Sequence, residues 1–319
     1  MRYVSGVSGP IDDYGRAASN RGIDAIEVRE GRTANIGPLG IVRVLPTKNR
    51  RTIGPWCFTD LMQADDVDRP PPLEIGPHPH IGLATVTWLF TGTVLHSDSL
   101  GTQQLIRPGQ LNLMTAGHGI AHAEEGVATD ETWESTGIMG VQMWLAQTEE
   151  QRHGVSGFQH VEDLPEIEIG AARGRILIGE VGETRSPAEF DHPTIGLDLT
   201  LDTDTVLPLE PAFEHGVVPI DRSIKVGDDI VEPGSLAIVP AGRDHLTLGA
   251  RSAPARMMIL GGEPLGAEVK MWWNFVARTT DELTEAWRAW QAGDEDRFGR
   301  VPSGLERIEA PVPPWITQP

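Results

Sequence analysis

The chain has 319 residues, a net charge of -20 and 39% hydrophobic residues. That length allows two ordinary domains, and the hydrophobic content excludes wholesale disorder. The negative charge, with no basic patch to offset it, excludes direct nucleic-acid binding.

Residues 1–35 are polar and mixed in charge, and read as a lead-in segment with limited structure. From Gly40 the chain becomes a series of short apolar or alternating runs broken by glycine and proline, of which it has 36 and 25. Runs such as 41–45, 84–90, 140–145 and 176–179 have strand length and are rich in β-branched or aromatic residues. A second block of the same kind covers about 195–260, with runs at 197–201, 222–226, 235–240 and 256–260. Two successive all-strand blocks predict two antiparallel barrels or sandwiches, over residues 36–160 and 161–319, joined near 158–168. One helix is predicted over 280–292. Thr279 and Glu282 form a capping box, Leu283, Trp287 and Trp290 share one face, and Gly293 ends it. The Pro-rich end, 310–314, is expected to be extended.

A single cysteine, Cys57, excludes an internal disulfide and a cysteine-rich metal site. The N-terminus lacks the apolar run of a signal peptide, and no apolar stretch approaches the roughly 18 residues of a membrane span. The expectation is a monomeric cytoplasmic protein. The acidic stretch between Glu124 and Glu168, in which Arg152 is the exception, reads as a solvated surface.

Five of the ten histidines, His78, His80, His96, His118 and His122, fall between residues 78 and 122. His78 and His80 are two residues apart, so on a strand both imidazoles leave the same face. His122 and Glu124 repeat that spacing. Two strands, each presenting a pair inward, bring four ligands around one point. Three imidazoles and a carboxylate suit Fe(II), Mn, Ni, Co, Cu or Zn and do not suit Ca(II) or Mg(II). His96 and His118 are placed near the site as supporting groups. Trp56, Phe58 and Met62 fit a pocket wall or core packing equally well. The second block has no paired histidines; His192, His215, His245 and Glu263 complete no set, so its role is read as structural.

The segments 76–82, 96–101 and 114–124 resemble the pirin family, as do 140–144, 261–265 and 272–276. The resemblance spans roughly residues 40–300. It implies an all-β fold of two tandem cupin (jelly-roll) barrels with a C-terminal helix, and one metal, most often iron, in the first barrel. By position the family's ligands fall on His78, His80, His122 and Glu124. One departure stands out: Ala84 occupies a position where many pirins have Glu, which removes a potential acid/base or supporting group.

The resemblance also implies a metal-dependent dioxygenase that opens flavonols such as quercetin with O2. Glu124 would be the first proton acceptor and His118 the second. The alternative is a non-enzymatic, iron-dependent regulator that binds a transcription factor or metabolic enzyme, for which the negative charge suits a protein partner. A sugar or enol isomerase on the same scaffold is a third reading.

Overall fold

A computed structural model describes residues 25–36, 39–62, 73–127 and 137–316. Each strand block closes into a barrel built from a seven-stranded and a four-stranded sheet, with every pair of neighbours antiparallel. In the first barrel the four-stranded sheet runs Glu74–His80, Ile120–Gly126, Val94–Asp98, Gln103–Ile106. Its large sheet is centred on Leu83–Thr91, Met139–Ala146 and Trp56–Met62. In the second barrel the large sheet is centred on Glu214–Pro219, Ala255–Gly262 and Thr194–Leu201. The connection expected near 158–168 is shorter. Gly157–Val161 still pairs with Leu111–Thr115 in the first barrel, and Glu166–Ile169 already pairs with Ala172–Ile178 in the second.

The end of the lead-in segment is more ordered than its polarity predicts. Glu27–Glu30 adds to the second barrel, against Ser235–Val239, and Arg32–Ile36 adds to the first, against Leu39–Leu45. The rest of that segment, 1–24, lies outside the described residues. Edge strands of this kind gain backbone hydrogen bonds while exposing their side chains, so no hydrophobic alternation marks them in the sequence.

The barrels share one apolar core. Ala84, Val86 and Trp88 lie in it with Leu177, Leu236, Met258 and Leu260 of the second barrel. Trp56 is fully buried there, and its indole N–H donates to the carbonyls of Ile195 (3.1 Å) and Gly261 (3.0 Å). Trp88 donates likewise to Asp198 at 2.9 Å. Burial of an indole of this size contributes roughly 4–6 kcal/mol by area, so these two tryptophans are major anchors between the barrels. Trp56 is therefore core and not pocket wall.

After the second barrel the chain returns to the first. Phe275 bridges Ile81, and the helix Thr280–Ala292 buries Leu283, Ala286 and Trp290 against Ile81, Ala121 and Trp273. The helix is capped as predicted, with the Thr279–Glu282 box formed and Gly293 in the left-handed conformation. The following tail packs too: Ala310 is buried and the Trp315 indole donates to Thr284 at 2.8 Å. Residues 270–316 thus cover the outer face of the four-stranded sheet. No helix among the described residues is long and apolar enough to cross a membrane.

Candidate metal centre

The four-stranded sheet of the first barrel carries three i, i+2 pairs side by side. Register places His122 opposite His78 on one neighbour and opposite Asp98 on the other. Glu124 lies opposite His96. Directly opposed side chains on antiparallel strands stand about 4.5–5.5 Å apart at Cβ, so the register alone brings these groups together. His78, His80, His96, Asp98, His122 and Glu124 are all buried.

His78, His80 and His122 form one cluster whose ring nitrogens lie within 4.8 Å of one another. Their rings are 4.2 to 5.1 Å apart at the centroids. Glu124 falls in a second, overlapping cluster with His122 and His96. The two clusters share His122, so the predicted carboxylate flanks the three imidazoles on the His96 side.

Tautomers follow from the partners. His78 Nδ1 meets the Gly76 carbonyl at 2.9 Å and His80 Nδ1 meets the Asn274 carbonyl at 3.0 Å. A carbonyl only accepts, so each Nδ1 carries the proton and each Nε2 keeps its lone pair. On the other side, His96 Nε2 lies 3.2 Å from an Asp98 carboxylate oxygen, and His96 Nδ1 lies 3.3 Å from His122 Nδ1. A neutral His96 that donates to Asp98 must accept at Nδ1. His122 then donates from Nδ1 and turns a bare Nε2 toward His80 Nε2, 3.0 Å away. Lone pairs this close repel unless a cation stands between them, so the donor set fits a transition-metal ion.

The electrostatics agree. Burial lowers the His78 pKa to about 4. Burial and the neighbouring imidazoles hold His80 and His122 well below the usual histidine range. All three are therefore neutral at physiological pH, the state in which an imidazole could bind a metal. Burial raises the Glu124 carboxyl, offset in part by the nearby His96, while the Thr87 hydroxyl beside it donates to Gln142 at 3.0 Å. Burial also acts to raise Asp98, but the hydrogen bonds from His96 and the Thr102 backbone outweigh it, and its pKa falls.

The cluster closes one side of a cavity of about 60 Å³. Its walls include Leu39, Met62, Leu73, Phe58 and Trp144, with Thr87, Gln142, Arg43 and Glu124 as polar points. Phe58 and Trp144 stack at 3.9 Å and 12°. Arg43 is held over Phe58 by a buried bidentate pair with Asp60, both contacts at 2.7 Å. Trp273 adopts a left-handed φ of 53°, costly for a bulky side chain. That turn puts its indole in the cavity wall and the Asn274 carbonyl on His80. Phe58 and Met62 are thus pocket wall. Asp98, Asn274 and the Arg43–Asp60 pair were not singled out from the sequence. The spacing His96-x-Asp98 was the available signal for the first; the others depend on tertiary contacts.

Two sequence expectations change. His118 is exposed, in the turn after Gly117, and lines a separate depression with His153 and Arg297. It faces away from the cavity, so no proton-transfer role at the cluster fits it. Ala84 also faces away. Thr87 of the same strand lines the cavity, while Ala84, Val86 and Trp88 alternate onto the inter-barrel core. Ala84 therefore takes nothing from the site. In the second barrel, His245 is exposed against Asp244 and His192 bonds to the Glu263 carbonyl, so no second histidine cluster assembles among the described residues.

Two tandem antiparallel barrels, with buried histidine pairs on the strands of the first, define a bicupin with a metal-type site. Residues 39–145 match the Pirin family, and residues 196–299 match the Pirin C-terminal cupin domain. The chain belongs to the pirin family. A Pseudomonas aeruginosa protein, whose name carries quercetin 2,3-dioxygenase as a provisional assignment, is 42% identical over 289 residues, 89% of each chain. A Caulobacter vibrioides pirin-like protein is 33% identical, covering 83% of this chain and 93% of its own. A crystal structure of quercetin 2,3-dioxygenase from Acinetobacter baumannii superposes with a TM-score of 0.82 at 38% identity, covering 92% of this chain and 97% of that one.

Proposed function

We propose that the chain is a metal-dependent dioxygenase that opens flavonols such as quercetin with O2. In this reading His78, His80 and His122 hold one divalent transition metal, Fe(II) first among the candidates, with Glu124 as fourth ligand or adjacent base. The observation that carries the proposal is the convergence of three neutral imidazoles and one buried carboxylate on a cavity that is otherwise apolar and aromatic. The relatives named for quercetin 2,3-dioxygenase support the same reading.

A metal in this donor set would act as a Lewis acid toward the substrate's hydroxyl and neighbouring carbonyl. The protein's own contribution is positional. Burial makes Glu124 a better proton acceptor than an exposed carboxylate. The stacked Phe58 and Trp144 rings offer a flat apolar surface to an aromatic substrate, and Gln142 and Arg43 offer hydrogen bonds at its edge. A three-ring flavonol exceeds the volume of this cavity, so its entry requires wall side chains to move, the unbranched Met62 most readily. A cytoplasmic, monomeric state belongs to the same proposal.

The test is oxygen uptake with quercetin by protein reconstituted anaerobically with Fe(II), Mn(II), Ni(II), Co(II) or Cu(II), beside a His122→Ala control. Metal-dependent uptake with carbon monoxide release, lost in the control, supports the dioxygenase. Tight metal binding with no uptake overturns it in favour of the regulatory reading.

A further inference from the structure

A cavity larger than that at the metal centre lies in the second barrel. It measures about 210 Å³, against about 60 Å³ in the first barrel, and opens to the surface at its rim. Ile195, Leu197, Leu207, Phe213 and Ile259 line it, and a single buried polar side chain, His215, reaches it. Its rim carries two exposed carboxylates, Glu180 and Glu210. An apolar cavity of about 150 Å³ is enough to hold a benzene ring.

His215 is unusual for its surroundings. It is 3% exposed, yet its Nδ1 has no hydrogen-bond partner. A buried polar group left in that state costs about 1–3 kcal/mol, and a folded protein rarely retains one without a use. The Phe213 backbone acts in the opposite sense to burial and raises the ring's basicity. A neutral imidazole keeps one bare ring nitrogen, which can accept a hydrogen bond. Burial meanwhile lowers the pKa to about 4, so the ring is neutral. The position is also shaped for an imidazole. Gly261 lies opposite it in register, and a Cβ there would meet His215 Cδ2 at 2.8 Å. Any other residue at 261 would displace the ring.

We propose that the second barrel is a binding site for a small, uncharged, ring-sized molecule carrying one hydroxyl group, a phenol or cyclic alcohol, which donates its O–H to His215. The apolar walls take the ring, the imidazole accepts the hydroxyl, and the rim carboxylates disfavour anions. The site does not depend on the metal centre.

The experiment soaks crystals of the full chain with 4-iodophenol and locates iodine by anomalous scattering. It is paired with calorimetric titration of the same compound and of iodobenzene. The expected result is iodine in the second barrel with the phenol oxygen on His215. Binding is expected to weaken about tenfold in His215→Phe, the loss of one buried hydrogen bond, to vanish in the cavity-filling Ile259→Trp, and to persist in His122→Ala. Iodine at the metal centre or on the surface alone would overturn the proposal, as would iodobenzene binding as tightly as the phenol. The soak needs no variant, so it decides the matter even where Ile259→Trp fails to fold.

Discussion

Replacing Asp98 by Asn tests how the histidines proposed as metal ligands are held, because it changes one charge and almost no volume. The Asp98 Oδ1 accepts from the backbone amides of Leu100 (2.9 Å) and Thr102 (3.0 Å), while Oδ2 faces His96 Nε2. An asparagine has one oxygen, and the two backbone amides claim it. Its NH2 group then faces His96, which must accept at Nε2 and carry its proton on Nδ1. That proton points at His122 Nδ1, which must accept in turn, so the His122 proton moves to Nε2, the nitrogen needed for the metal. Binding the ion then requires expelling that proton or breaking the chain. Losses of this outer hydrogen bonding cost about 10- to 100-fold in metal affinity, or roughly 1.4–2.7 kcal/mol. Competition against a chromogenic chelator measures it, with circular dichroism confirming the fold. A variant that binds within twofold of the parent would show that His122 is not oriented through His96 and Asp98.

Ala84→Glu, which restores the residue many pirins carry there, is expected to destabilise the protein by about 3–5 kcal/mol, since it buries an unpaired carboxylate between the barrels. Urea denaturation reads the loss, and a gain in oxygen uptake would show that position 84 faces the site after all. Acid should also destabilise the fold through His215. Its folded pKa of about 4 lies below the unfolded 6.5, so the unfolded chain takes up the proton first. The contribution is complete above pH 6.5 and is lost as pH falls toward 4, a difference of about 3 kcal/mol. Denaturation curves at pH 7.5 and 4.5 should therefore converge by about that amount in His215→Phe, and equal acid sensitivity in both proteins would contradict it.

Much of this arrangement is legible in the sequence because strand periodicity is local. The pairs His78/His80 and His122/Glu124 point inward for the same reason that Leu39–Leu45 and Ala255–Gly262 read as strands. The helix is legible from its caps, Thr279 and Gly293. What fails to show is decided by distant contacts. Trp56 reads equally as pocket or core until Ile195 and Gly261 receive its N–H. Ala84 looks like a lost site group because its face depends on which side of the sheet meets the second barrel. His118 sits close in sequence to His122, but the turn at Gly117 leaves it on the surface. The segment 272–276 is distinctive without an evident role until its return to the first barrel puts Asn274 on His80.

The central claim is that His78, His80 and His122 bind one metal ion, and metal content per chain tests it most directly. Protein stripped with a chelator and titrated with Fe(II) under anaerobic conditions should bind one equivalent tightly. His122→Ala should retain none after desalting, and His118→Ala should retain one. Full loading of His122→Ala, or no tight binding by the parent chain, would contradict the assignment.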